Sequence, residues 1–186
     1  MKDFLIKLED KYTPSEYIEN EVVDEIREAT QGILYSEIKQ YTGKIQSYDY
    51  KTGSGIYNVL GDFGGKTIHH NIQNDLGEID RNEYTYEFYI KSSLIDSYKY
   101  RVMFFRFGDA GYPVTVVLSS VIAKSINDDN SSEYVYSIGN MEEFGAFIED
   151  VINSDALHDI LQEAIIASLR HKEKKDETPV IINEEK

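Results

Sequence analysis

Cysteine and tryptophan are missing from this chain, proline occurs three times, histidine four times, and 19 Lys+Arg stand against 34 Asp+Glu. The absence of cysteine excludes disulfides, thiolate-bound metals, iron–sulfur clusters and a cysteine nucleophile. The shortage of positive charge, a formal −15 at pH 7, opposes direct binding to nucleic acid or to an anionic membrane, because both present phosphate to the protein. Nor does any apolar run approach the ~18 residues that cross a bilayer. The opening MKDFLIKLEDKYTPSE has charges every few residues where a signal peptide has its apolar stretch, so a cytoplasmic protein is expected. Seven Ala against 22 Ile fits an AT-rich bacterial or phage genome.

What is present suffices for one core. The 186 residues are 41% hydrophobic and include 15 Tyr and 8 Phe, too apolar a composition for wholesale disorder. Residues 1–172 read as a single domain and 173–186 as a charged, flexible tail. The first element starts at a capping box, Thr13 with Pro14 at the first helical position and Glu16 three residues on. Ile18, Val22, Ile26 and Ala29 follow at helical spacing, which predicts a helix from Pro14 to about Gln31. Gly32 closes it in the left-handed conformation. A strand from about Ile33 to Tyr41 comes next; the rival reading runs the helix through Ile38 to Gly43.

Residues 44–76 read as short strands and turns punctuated by glycine. Glu83–Lys91 alternates strictly, with Tyr84, Tyr86, Phe88 and Ile90 on one face, and Tyr98–Phe107 repeats the pattern with Tyr98, Tyr100, Val102 and Phe104. Val114–Ala123 is a β-branched run, and Tyr134–Ile138 adds a further strand. Linkers of ~6 residues between the first three of these strands are too short for parallel crossovers, so those three form an antiparallel meander. Asn140 with Glu143 is a second capping box, followed by the stripe Phe144, Phe147, Ile148, Val151 and Ile152. Ser154 caps a last helix with the stripe Leu157, Ile160, Leu161, Ala164, Ile165 and Leu169. The expected fold class is α+β: an acidic N-terminal helix, an antiparallel sheet of about five strands, and a C-terminal helical pair packed on one face.

Motifs that could carry chemistry fail on spacing. Ile56–Leu60 runs into Gly61-Asp62-Phe63-Gly64-Gly65-Lys66-Thr67, which looks like a P-loop but leaves three residues where the phosphate cradle needs four before its Gly-Lys pair. Gly77-Glu78-Ile79-Asp80 with Glu87 and Lys91 faintly resembles a restriction-type nuclease core. There, however, the Glu and Lys stand two apart, whereas here they are four apart, so the pair reads as a solvated outer strand face. Neighbouring His69 and His70 point to opposite sides of any strand, and His158 and His171 lack partners at ligand spacing. The loop Asn127–Glu133 lacks the mid-loop Gly and distant Glu of an EF-hand. Neither a metal nor a cofactor is therefore expected.

The strongest departure from an ordinary composition is charge segregation. Lys124 and Arg170 bracket 45 residues (125–169) without a Lys or Arg. That stretch holds Asp128, Asp129, Glu133, Glu142, Glu143, Glu149, Asp150, Asp155, Asp159 and Glu163. The N-terminal helix adds Glu16, Glu19, Glu21, Asp24, Glu25 and Glu28 against a lone Arg27. A solvated acidic face is one reading. The sharper one is a docking surface, at Asp128, Asp129, Glu133, Glu142, Glu143, Glu149, Asp150, Asp155 and Asp159, for a basic protein that itself binds nucleic acid. The expected function is a non-catalytic acidic protein-binding module, such as an immunity protein or a phage or bacterial inhibitor, with homo-oligomerisation left open. The alternative is a small phosphoryl-transfer or metal-dependent enzyme using the Gly61–Thr67 loop with Lys66, Thr67, His69, His70 and Asp75.

Overall fold

The structure, a computed structural model, describes residues 12–43, 48–52, 66–70, 76, 82–127 and 133–176. The first capping box forms as its residues require. The Thr13 hydroxyl accepts from the Glu16 N–H (3.4 Å), and the Glu16 carboxylate accepts from the Thr13 N–H (2.8 Å). That bond holds the Glu16 carboxyl below its ordinary range. The expected single helix is two, α1 (Pro14–Glu21) and α2 (Val23–Ala29), with Val22 between them. The apolar stripe survives the break, because Ile18, Val22 and Ile26 are all buried. The closing residue is also one earlier than expected. Gln31 takes the left-handed conformation at φ 52°, donating to the Glu28 carbonyl, while Gly32 at φ 75° donates to that of Arg27. This is a Schellman closure with glutamine in glycine's usual place.

Strand β1 (Leu34–Gln40) follows as expected, and the rival helix is excluded. Strands β2 (Tyr48–Thr52) and β3 (Lys66–His70) form a separate antiparallel pair. The main sheet continues with β4 (Glu83–Ser92), β5 (Lys99–Gly108), β6 (Val114–Leu118) and β7 (Val135–Ile138). Its order is β1-β4-β5-β6-β7, antiparallel throughout, so five strands and the meander agree with the sequence pattern.

Three further sequence-based expectations fail. The run Val114–Ala123 is a strand only to Leu118. Ser119 then caps helix α3 (Ser120–Ile126), accepting from the Ile122 N–H at 3.5 Å, and Ile122 and Ala123 turn inward. A hydroxyl at the cap position outweighs the weak strand preference of Val121 and Ile122. Second, β5 does not alternate evenly. Phe88 faces Met103 but Tyr89 faces Arg101, so Val102 is an extra residue opposite β4. The bulge puts Val102, Met103, Phe105 and Phe107 in the main core and moves Phe104 to the other face, where it packs with Leu76 and Val117. Phe104 therefore does not share a face with Phe88. Third, the last helix, α5 (Asp155–Asp176), runs through residues 173–176, which the sequence reading assigned to the tail.

Helix α4 (Met141–Ile152) and α5 form the C-terminal pair. Together with α1, α2 and α3 they contribute Ile18, Ile26, Ile122, Phe144, Ile148, Val151 and Leu157 to the core over Leu34, Phe88, Ile90, Phe105 and Val116. Tyr86 stacks on Phe105 and Phe107 with ring centroids 5.5 and 5.3 Å apart. Along α5 the buried positions are Leu157, Ala164 and Ser168, whereas Leu169 is exposed. Ser168 is tolerated inside because its hydroxyl donates to the Ala164 carbonyl (2.7 Å) and shares a bond with that of Ser92 (2.7 Å). Among the described residues no helix is long and apolar enough to cross a membrane.

Truncating Phe88 or Phe105 to Ala should each cost ~3–5 kcal/mol, from lost burial plus the cavity left behind. Leu169→Ala should cost less than about 0.5 kcal/mol. Urea unfolding of the three variants checks the order; equal midpoints would refute the assignment of faces.

Candidate docking surface

The acidic residues owe their exposure to the same periodicity that builds the core. In α4, Phe144, Ile148 and Val151 are buried, which leaves Glu142, Glu143, Glu149 and Asp150 exposed on the remaining arc. Asn140 caps the helix by accepting from the Glu143 N–H at 2.9 Å. The return bond of the expected capping box falls one residue early, from the Gly139 N–H to the Glu143 carboxylate at 3.1 Å. Ser154 starts α5, its hydroxyl accepting from the Leu157 N–H (3.3 Å) and donating to the Val151 carbonyl (2.7 Å). Asp155, Asp159 and Glu163 lie exposed on its outer side. Glu133 is exposed just before β7, while Asp128 and Asp129 lie outside the described residues.

The fold adds a neighbour that sequence order hides. α1 packs on α4 through Tyr17, whose ring meets Phe144 edge-on at 5.8 Å. A Cβ at position 145 would lie 2.7 Å from the Tyr17 hydroxyl, so Gly145 permits this approach. The Tyr17 hydroxyl is held above its ordinary pKa first by burial, then by Glu21 of α1 and Glu149 of α4. One phenol thus senses carboxylates contributed by both ends of the chain. Glu16, Glu19, Glu25 and Glu28 are likewise exposed. Among the described residues, no ion pair engages Glu142, Glu143, Glu149, Asp150, Asp155 or Asp159. Beneath this surface, burial and then neighbouring Tyr17 push the Tyr112 hydroxyl up to about 12.

The opposite face of the sheet, which no helix of the described residues covers, holds a different constellation, which sequence reading missed. Glu87, expected to be solvated, is only 2% exposed. Lys99 reaches its Oε2 at 2.5 Å, and the Arg101 Nε donates to Oε1. Lys99 also lies over the Tyr89 ring at 4.0 Å, and the Arg101 guanidinium over Phe104 at 4.2 Å. The Tyr89 hydroxyl donates to Glu37 at 2.5 Å, and Lys91 stands 3.8 Å from the same carboxylate. Burial, followed by that bond, raises the Tyr89 pKa. Arg106, buried on this face, donates to Thr85 (3.0 Å) and to the Leu76 carbonyl (3.1 Å). The faint signal was Lys99 and Arg101 alternating with apolar residues in a strand whose partner carries Glu87.

Lys66 and Thr67 begin strand β3, where a P-loop needs the first turn of a helix. Gly61, Asp75, Glu78 and Asp80 lie outside the described residues, and so do the side chains of His69 and His70. Among the described residues no three His, Asp or Glu side chains converge as a metal site.

The Glu87 cluster makes an asymmetric prediction about stability. Glu87→Gln removes the buried charge and leaves two cations that can rehydrate, at a cost of about 1–2 kcal/mol. Replacing Lys99 and Arg101 together with Met strands the carboxylate and should cost ~3–5 kcal/mol. Chemical denaturation gives the order, and the reverse order would refute the assignment. No protein family, no curated protein and no solved structure matches the chain.

Proposed function

We propose that the chain is a non-catalytic acidic protein-binding module of the cytoplasm, an immunity protein or a bacterial or phage inhibitor. It docks through the α1–α4 surface on a basic partner that itself binds nucleic acid. The observation that carries this reading is the packing of α1 on α4 through Tyr17, Phe144 and Gly145, which joins two acid-rich segments far apart in sequence. Solubility needs net charge but does not need it gathered on adjoining helices. A like-signed surface accelerates encounter with an oppositely charged partner and rejects others, acting over a Debye length of about 8 Å. The chain offers carboxylates where such a partner would otherwise meet phosphate.

The test reverses charges where the helices tolerate it. Glu21 ends α1, and Glu149 and Asp150 lie in the last turn of α4, where the helix dipole favours lysine. The triple variant Glu21→Lys, Glu149→Lys, Asp150→Lys should therefore remain folded by circular dichroism. Against a panel of basic nuclease and DNA-binding domains, the unaltered chain should bind with an association rate that falls about tenfold as salt rises to ~0.5 M. The triple variant should lose at least about tenfold in that rate, with dissociation little changed. Failure of the whole panel to bind, or binding indifferent to both salt and the reversals, would remove this reading.

A further inference from the structure

Strand β1 is one edge of the sheet, and among the described residues no strand pairs with its outer rim. The Tyr41 N–H donates to the Thr85 carbonyl (2.8 Å) and the Ser93 N–H to that of Ile33 (2.9 Å). Odd-numbered residues of this segment therefore turn their backbone groups to β4, and Leu34, Ser36, Ile38 and Gln40 turn theirs outward. The fold closes the first of these. The Thr30 hydroxyl accepts from the Leu34 N–H at 3.2 Å and lies 3.0 Å from its carbonyl. Among the described residues nothing meets the outward groups of Ser36, Ile38 and Gln40. The Ser36 hydroxyl also lacks a partner although the residue is only 3% exposed. It borders a hollow of about 320 Å³ shared with Asp24, Arg27 and Tyr35.

We propose that this rim pairs with the same rim of a second copy, antiparallel about a two-fold axis at Ile38, joining the two sheets into one. Only registers that set even residues opposite even residues let both rims exchange hydrogen bonds. Of these, the two-fold at Ile38 places Ser36 opposite Gln40, Ile38 opposite Ile38, and Glu37 opposite Lys39. Sliding by two residues one way sets Glu37 against Glu37, and the other way sets Lys39 against Lys39; both are repulsive. Glu37 and Lys39 fall at non-hydrogen-bonded positions, where facing side chains approach most closely. Lys39 is exposed, and the second copy's Glu37 gives it a counterion. The contact is isologous, so it closes at two copies. It stands on β1 alone and does not depend on the acidic docking surface.

The chain has no cysteine, so one introduced thiol reports the register. Sedimentation equilibrium at ~50 µM should give twice the 21.4 kDa chain mass. Ile38→Cys should then form an intermolecular disulfide under mild oxidation, since facing Cα atoms would lie about 5.5 Å apart. Lys39→Cys, with its thiols offset by two residues, should not. Lys39→Glu sets carboxylate against carboxylate and should weaken association at least tenfold without altering the circular dichroism spectrum. A monomer at this concentration would overturn the proposal and make Lys39 a charge that guards a solitary edge. So would a dimer that fails to cross-link at position 38, or one indifferent to Lys39→Glu.

Discussion

The pairing of β4 with β5, with its bulge at Val102, decides which side chains of the central strands reach the core. A regular strand continuing the alternation of Tyr98, Tyr100 and Val102 would send Phe104 and Arg106 toward the helices. One extra residue reverses this, so Met103, Phe105 and Phe107 join the core and Phe104 and Arg106 face away. The stack of Tyr86 on Phe105 and Phe107, the seat for Phe144 and the position of Arg106 all follow from that displacement. The result is a sheet with two faces of different chemistry, one aromatic and aliphatic under helices, the other mixing Phe104 with Glu87, Lys99, Arg101 and Arg106.

That second face shows how charge is managed in an acidic chain. Positive side chains are scarce, and several are committed to the sheet. Lys99 and Arg101 neutralise Glu87, Lys91 approaches Glu37, and Arg106 is buried against Thr85 and Leu76. A buried carboxylate held by two cations is tolerable, whereas an unpaired one would be costly. The helices carry Arg27, Lys124 and the basic end of α5, but residues 125–169 display their carboxylates with no cation among them.

Where one local signal decides the conformation, the sequence was legible. Thr13 with Glu16, and Asn140 ahead of Glu143, mark helix starts because short polar side chains satisfy orphan N–H groups. The alternation of Tyr86, Phe88 and Ile90 marks a half-buried strand. Where the outcome depends on distant residues, reading stopped. Val102-Met103-Phe104-Phe105 is apolar throughout, so no contrast marks the bulge. Ser168 is buried because it meets Ser92, 76 positions earlier, and Leu169 loses the inward position to it. Glu87 looked solvated because its cations arrive from the next strand. The candidate surface was legible in composition, whereas its extension onto α1 through Tyr17 and Gly145 emerges only from packing.

The proposed docking role requires the α1–α4 surface to receive positive charge. Titrating the isotope-labelled chain with a lysine-rich peptide, while following backbone amide resonances, tests this most directly. Shifts should concentrate on α1, α4 and the first turns of α5, fading as salt rises past ~0.3 M. Shifts spread evenly over the surface, or centred on the sheet face around Glu87, would show that the acidic helices are not the receiving surface.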